Sequence, residues 1–421
     1  MYIKEAIILA GGFGTRLRSE VPDVPKCMAP VHGRPFISFV IDALRIQGIE
    51  RFIFSLGYMS EVIVAYLKDQ YPTLDYTVVI EEEPLGTGGA IKQSLTNALT
   101  ENVLVANGDT LFKVDLNKLY TVHHANNAIC TLALKPMTNF DRYGVVELKS
   151  NGLITSFKEK QFYEEGLING GVYLIDREKF LKTSFHNSFS FERGYLEKYV
   201  KDESFFGSIQ DGYFIDIGIP EDYKKAQQDL KSQSLDLKKI DETWTLFLDR
   251  DGVLNLERLG KYVLHWGEFV FLDGVPESID SLSKRFGRII IISNQRGVTK
   301  NLMTEDDLKN IHKKMLVQIE ENGGCIEKIY YCIEKEDTCF NRKPNPGMAL
   351  QAIRDFPDID FSKSIMVGNK PSDMRFGRAA GMFTVFVTTT NPDQPFPHTD
   401  IDLRFNSLLA FNRALESCDN I

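Results

Sequence analysis

The sequence predicts an α/β protein of two domains, each a mostly parallel sheet flanked by helices. Three observations predict it. At 421 residues the chain exceeds what one ordinary core fills, so two domains are expected. Short apolar runs of strand length alternate with segments of helical period, the pattern of β–α–β units. That alternation breaks off once, in KKAQQDLKSQSLDLKKIDE, Lys224 to Glu242. This polar, lysine-rich stretch reads as a terminal helix running into a linker. The expected organisation is a first domain over 1–230, a linker over 231–243 and a second domain over 244–421.

In the first half, the apolar runs Ala6 to Ala10, Arg51 to Leu56, Thr77 to Ile80 and Val103 to Ala106 read as strands. Between them, Phe36 to Gln47, Glu61 to Lys68 and Gly86 to Leu99 follow helical period. After Lys135 the chain becomes strand-rich, with YGVVEL, LITSFKEK and GGVYLI divided by turn residues. In the second half, strands are expected at 244–248, 288–292, 328–332, 364–367 and 383–387, and helices at 275–285, 305–321, 347–355 and 372–380. The tail after Asn391 is proline-rich and then weakly helical. No internal repeat relates the halves.

Composition narrows the function classes. With 43% hydrophobic and 25% charged residues the chain is globular rather than disordered or fibrous. No apolar run is long enough to span a bilayer, and the start lacks a cleavage pattern, so a cytoplasmic protein without a membrane partner is expected. Six cysteines scattered over this length suit reduced thiols better than a disulfide framework. A net charge of -9 and the lack of a basic stripe argue against nucleic acid as a partner, although a local pocket can still be basic enough for a nucleotide. A homo-oligomer stays open.

Two stretches carry chemistry. LAGGFGTRL, Leu9 to Leu17, follows the first apolar run and precedes PKCMAPV, Pro25 to Val31. Gly11, Gly12 and Gly14 allow a tight turn whose N–H groups can face a polyphosphate, with Arg16 and Lys26 supplying positive charge. The spacing is neither that of the phosphate loop nor that of the dinucleotide fingerprint. In LFLDRDGV, Leu246 to Val253, Asp249 and Asp251 leave a buried strand together. Such a pair can hold magnesium, with one carboxylate free to attack phosphorus; alone it also fits a strand ending in a polar turn.

Six ordered segments of the first half resemble the sugar-1-phosphate nucleotidylyltransferase family: GGFGTR with PKCMAP, EEPLGTGGA, NGDT, FKEK, NGGVY and IDIGIPEDY. The resemblance implies that Leu9, Ala10, Gly11, Gly12, Gly14, Thr15, Glu82, Gly86, Thr87, Gly88 and Asn107 face the nucleotide. It implies sugar contacts from Asp109, Glu159, Lys160, Asn169 and Gly170, magnesium on Asp109 and Asp216, and catalytic charge from Arg16 and Lys26. In such a transfer the sugar phosphate is already an anion, so neutralisation and alignment are needed rather than a base.

The second half resembles the haloacid dehalogenase superfamily, and within it heptose bisphosphate phosphatases, through DRDGVLN, IISNQRGV, RKPNPGM and VGNKPSDM. The resemblance implies Asp249 as nucleophile, Asp251 as acid and base, Ser293 and Lys343 on the phosphoryl group, and Asn294, Gln295, Arg296 and Arg342 toward substrate. The implied magnesium set is Asp249, Asp251, Asn369 and Asp373. Asn369 stands where relatives carry aspartate and brings no charge. Cys332 and Cys339 match a zinc loop whose other two positions are Glu334 and Asn341 here, so zinc is not expected. Together the resemblances imply loss of the 7-phosphate from D-glycero-D-manno-heptose 1,7-bisphosphate and guanylyl transfer from GTP to heptose 1-phosphate. The alternative is a guanylyltransferase for another sugar, such as mannose 1-phosphate, with a degenerate, sugar-phosphate-binding second half.

Overall fold

A computed structural model describes residues 3–12, 17, 20–184, 186–201, 205–231 and 235–418. The chain forms two compact units, Met1–Ser232 and Gln233–Ile421. Among the described residues no helix is long and apolar enough to cross a membrane.

The first unit runs β1 (Glu5–Ala10), a hairpin of β2 (Pro30–Val31) and β3 (Arg34–Pro35), α1 (Phe36–Arg45), β4 (Arg51–Leu56), α2 (Ser60–Gln70), β5 (Asp75–Ile80), α3 (Gly86–Leu95), β6 (Asn102–Asn107) and β7 (Thr110–Phe112). It continues with α4 (Leu116–Ala125), β8 (Cys130–Phe140), β9 (Val146–Leu148), β10 (Ile154–Phe157), β11 (Tyr163–Asp176), α5 (Arg177–Lys182), β12 (Phe205–Ile209), β13 (Phe214–Asp216) and α6 (Pro220–Asp229). The main sheet has the order β12-β8-β11-β6-β1-β4-β5. It is parallel except at β11, which runs against both β6 and β8. The apolar run of β1 is nearly all buried, as a central parallel strand covered on both faces requires. β1 pairs with β4 on one side and β6 on the other. The order therefore reverses between β1 and β6, where α/β sheets open a crevice.

Helix α3 stops at Leu95, short of the expected Leu99. The N–H groups of Leu99 and Thr100 instead donate to the buried Glu5 carboxylate at 2.8 and 2.5 Å. A buried carboxylate that must be satisfied outweighs a last helical turn.

The second unit runs β14 (Thr245–Leu248), α7 (Val275–Arg285), β15 (Arg288–Asn294), α8 (Glu305–Glu321), β16 (Lys328–Cys332), α9 (Gly347–Asp355), β17 (Ser364–Gly368), α10 (Pro371–Ala380), β18 (Phe383–Val387), β19 (Leu403–Phe405) and α11 (Leu408–Cys418). Its sheet, β16-β15-β14-β17-β18-β19, is parallel throughout. The order reverses between β14 and β17. The strand β19 is too short for its three residues to show a period.

Residues 235–243 are not the free linker expected from their polarity. Leu235 and Ile240 are buried in the second unit's core, on either side of a short 3-10 turn at Leu237–Lys239. Two apolar side chains in a charged stretch anchor it, because burying each removes apolar surface from water.

Candidate active sites

In the first unit, Lys26 is the centre. It lies on a 3-10 turn, Lys26–Met28, pinned by the buried side chains of Cys27 and Met28. Its Nζ donates to Asp109 Oδ2 at 2.6 Å and to Asp216 Oδ1 at 3.2 Å. β7 and β13 bring these aspartates together. They pair antiparallel with Thr110 opposite Asp216, and Ile217 N donates to Asp109 O at 3.1 Å. Burial works against the Lys26 ammonium, but Asp109 and Asp216 outweigh it and hold its pKa above the ordinary value. Two carboxylates facing one ammonium are hard oxygen donors of the kind magnesium takes.

Beside this pair lies a cavity of about 380 Å³, lined by Asn107, Glu159, Lys160, Asn169, Gly170 and Asp216 among others. The structure thus brings four of the expected sugar-facing residues, Glu159, Lys160, Asn169 and Gly170, from two segments to one cavity with Asn107 and Asp216, while Asp109 is not part of the lining. It adds Tyr143, Glu192 and Arg193 to the lining, for which the sequence holds no motif. Glu192, on a π-helical turn Glu192–Glu197, accepts from Thr87 Oγ1 at 3.0 Å.

On the nucleotide side, Gly14, Thr15 and Arg16 lie outside the described residues. Leu9 and Ala10 end β1, and Gly11 and Gly12 follow it. Glu82 is exposed, and its neighbour Glu81 faces the glycine turn. A Cβ on Gly11 would come within 2.7 Å of Glu81 Oε1, and Glu81 Oε2 accepts from Leu85 N at 3.0 Å. Gly86 and Gly88 are small for a packing reason. A Cβ on Gly86 would lie 2.6 Å from Phe189 O, and one on Gly88 would strike the Phe189 ring.

In the second unit, Asp249 directly follows β14. Its Oδ1 accepts from Arg250 N at 2.8 Å and pairs with Lys343 Nζ at 2.7 Å. Lys343 also pairs with Asp373 Oδ1 at 2.8 Å and donates to Ile292 O at 2.9 Å. Burial pushes the Asp249 carboxyl up, to about 6, against the pull of Lys343. Lys343 itself is held above its ordinary value, since Asp249 and Asp373 outweigh its burial.

Asp251 is engaged on both oxygens. Arg250 Nη2 donates to Oδ1 and Oδ2 at 2.9 and 2.8 Å, Asn255 Nδ2 to Oδ1 at 3.0 Å, and Gln295 Nε2 to Oδ2 at 2.8 Å. Burial alone would raise its pKa, yet Arg250, Asn255 and Gln295 bring it below the ordinary carboxylate value. Arg250 is fully buried, and its Nη1 lies 3.1 Å from His312 Nε2. A guanidinium only donates, so Nε2 is the acceptor and His312 is neutral. Burial, then Arg250, pushes its pKa down to about 3.

The residues expected to hold magnesium are engaged to different degrees within the protein. The Asp251 carboxylate is taken up by four donor contacts. Asp373 places Oδ1 on Lys343, and its Oδ2 accepts from Asn369 N and Lys370 N at 3.2 and 3.0 Å. Asn369 remains, at the end of β17 beside the end of β14. It is fully buried, and its Oδ1 has no hydrogen-bond partner among the described residues. An acceptor left so costs about 1–3 kcal/mol, and a hard cation would satisfy it. Asp249 and Asn369 therefore fit magnesium.

The remaining expected residues divide. Ser293, next to last in β15, is buried, with its Oγ accepting from Gln295 Nε2 at 2.7 Å. Gln295 thus spans Ser293 and Asp251 rather than reaching outward. Asn294 is spent on Lys343, donating to its O at 3.0 Å and accepting from its N at 3.1 Å. Arg296 and Arg342 both pair with the exposed Asp337. Cys332 Sγ and Cys339 Sγ lie 3.9 Å apart. No cluster of three or more His, Cys, Asp or Glu able to hold a metal occurs among the described residues.

Comparison with known proteins matches both units. The Nucleotidyl transferase family model covers residues 5–233, and the Polynucleotide kinase 3 phosphatase model covers 246–413. The first unit is 49% identical over 227 residues to the D-glycero-alpha-D-manno-heptose 1-phosphate guanylyltransferase of Aneurinibacillus thermoaerophilus, covering 54% of this chain and 98% of the relative. It is 47% identical over 219 residues to the enzyme of the same name from Campylobacter jejuni, covering 52% and 96%. The crystal structure of HddC from Yersinia pseudotuberculosis is similar at 35% identity and a TM-score of 0.50, over 55% of this chain and all of that one. It has also been solved complexed with GMP-PN. With the nucleotidyl transferase match spanning more than half of its length, and the Polynucleotide kinase 3 phosphatase model matching behind it, the chain belongs to the nucleotidyl transferase family.

Proposed function

We propose that this chain is a bifunctional enzyme of nucleotide-activated heptose synthesis. It removes the 7-phosphate of D-glycero-D-manno-heptose 1,7-bisphosphate at Asp249, then transfers GMP from GTP to the resulting heptose 1-phosphate beside Lys26, giving GDP-heptose and pyrophosphate. The observation that carries this reading is the buried, Lys343-paired Asp249 in a chain whose first unit is 49% identical to a heptose 1-phosphate guanylyltransferase. The motif resemblance of the second half to heptose bisphosphate phosphatases supports the choice of bisphosphate. The GMP-PN complex of the Yersinia relative supports guanine, and a nucleoside triphosphate donor suits the cytoplasm.

At the second site Asp249 attacks the 7-phosphorus, the P–O bond to the sugar breaks, and an aspartyl phosphate forms. Lys343 stays on Asp249 and offsets the charge of the incoming phosphate, with Ser293 beside it. Asp251, once protonated, gives its proton to the departing sugar oxygen. It then takes one from the water that opens the aspartyl phosphate and releases inorganic phosphate. Its four contacts hold it as the carboxylate, the form the second step needs. At the first site the 1-phosphate oxygen attacks the α-phosphorus of GTP, and pyrophosphate leaves. Lys26 neutralises the triphosphate, while Glu159, Lys160 and Asn169 orient the sugar. Asp109 and Asp216 in the first unit, and Asp249 and Asn369 in the second, would hold magnesium, which would supply charge neutralisation on the phosphoryl oxygens.

The test is product analysis. Full-length protein with magnesium and the bisphosphate should release phosphate whichever nucleotide is present, and should form a nucleotide sugar with GTP alone among the four triphosphates. Absence of phosphate release would refute the second activity. Heptose 1-phosphate and GTP yielding no GDP-sugar would refute the first.

A further inference from the structure

Asn369 departs from the aspartate expected at its place, and the side chains around it explain how the site can work without that charge. Glu257 Oε2 accepts from Asn369 Nδ2 at 2.9 Å, and Thr390 Oγ1 lies 2.5 Å from the same nitrogen. A carboxamide can usually be turned over, exchanging its N and O. A carboxylate only accepts, so Glu257 requires the nitrogen on its side. The oxygen is thereby turned away, and it is this Oδ1 that is buried without a partner among the described residues. Glu257 is itself mostly buried and pairs through Oε1 with Lys370 Nζ at 2.5 Å, which fixes its carboxylate in place.

We propose that Glu257 is a positioning residue for the phosphatase metal site: it supplies, from behind Asn369, the negative charge that position 369 lacks, and it locks Oδ1 toward the cation beside Asp249. The inference rests on the proposed phosphatase reading. Its sharpest consequence is a reversal. An aspartate at 369 would set two carboxylates against each other where Glu257 now accepts a hydrogen bond, so the two positions must change together. Glutamine at 257 could donate to such an aspartate, whereas it leaves the native carboxamide free to turn over.

The experiment measures magnesium binding directly, by calorimetric titration of the full-length protein without substrate. A D109N/D216N background silences the first unit's site. Glu257→Gln should weaken magnesium binding by about ten-fold or more. In the N369D background the same change should leave affinity unchanged or improve it. That recovery also excludes misfolding as the cause of the first loss. The proposal is overturned if Glu257→Gln stays within about two-fold of the parent, or weakens binding equally in both backgrounds. The proposed phosphatase function fails separately, by the absence of phosphate release from the bisphosphate whatever the metal affinities.

Discussion

Both units place a lysine between two aspartates beside the point where their parallel strands reverse order, and they differ in how much water reaches it. Lys26 spans Asp109 and Asp216, whose side chains are 32% and 26% exposed. Lys343 spans Asp249 and Asp373, which are 7% and 1% exposed. The difference follows the chemistry proposed for each. Where the substrate brings its own nucleophile, the site must admit a large polyphosphate and a sugar. Where an enzyme carboxylate must attack, it is enclosed, and one lysine holds it against burial. Low exposure strengthens each charge contact and raises the cost of breaking it.

The most decisive way to separate the two sites is Asp249→Asn. Phosphate release should fall by about 10⁴-fold or more, while GDP-sugar formation from supplied heptose 1-phosphate stays at the parent rate. A fall in both, measured by phosphate assay and nucleotide-sugar chromatography, would break the comparison. Lys26→Ala should act in the opposite sense, lowering transfer by about 10²–10³-fold with phosphate release retained.

Stability sharpens the contrast further. Lys343→Met leaves Asp249 and Asp373 buried and facing each other, and should destabilise the second unit by about 3–5 kcal/mol. Lys26→Met should cost the first unit about 1 kcal/mol. Denaturant unfolding with a probe in each unit reads both, and equal losses would mean that burial does not distinguish the sites.

A further contrast lies in pH. His312 and His123 are both neutral when folded, pushed down by burial to about 3 and about 4. Unfolded histidine binds a proton below about pH 6.5, so each unit should lose stability as pH falls through that value. Asp249 works the other way, and only in the second unit. Its raised pKa lets the folded, metal-free protein keep a proton that the unfolded chain releases. Its contribution is present at low pH and is lost as pH rises toward 6. The second unit's midpoint should therefore fall less steeply between pH 6 and 4 than the histidine alone dictates, and Asp249→Asn should abolish the difference.

Much of the two-sheet architecture was legible in the chain. Runs such as Ile289 to Ile292 bury on both faces only as central strands, and the residue after such a strand falls at the sheet's edge. That pattern alone places Asp249, Ser293 and Asn369 at one end of one sheet. Arg250 was visible inside DRDG, but its role was not, because its partner His312 lies 62 positions away. Glu257 carries no motif, and its hydrogen bond to Asn369 crosses 112 positions. Glu81 and Glu82 cannot be told apart by spacing, since only the approach of Gly11 selects between them.

The sequence by itself determined the α/β class, the alternation of elements and the segments that end strands, because these depend on apolar periodicity and near neighbours. Only the tertiary structure decided which polar atoms are free to act. It engaged Asp251 and Asp373 within the protein, turned Asn369 Oδ1 outward from Glu257, and set Phe189 against Gly86 and Gly88. Hydrophobic burial is written locally in a chain, whereas the availability of a charge depends on every group folded against it.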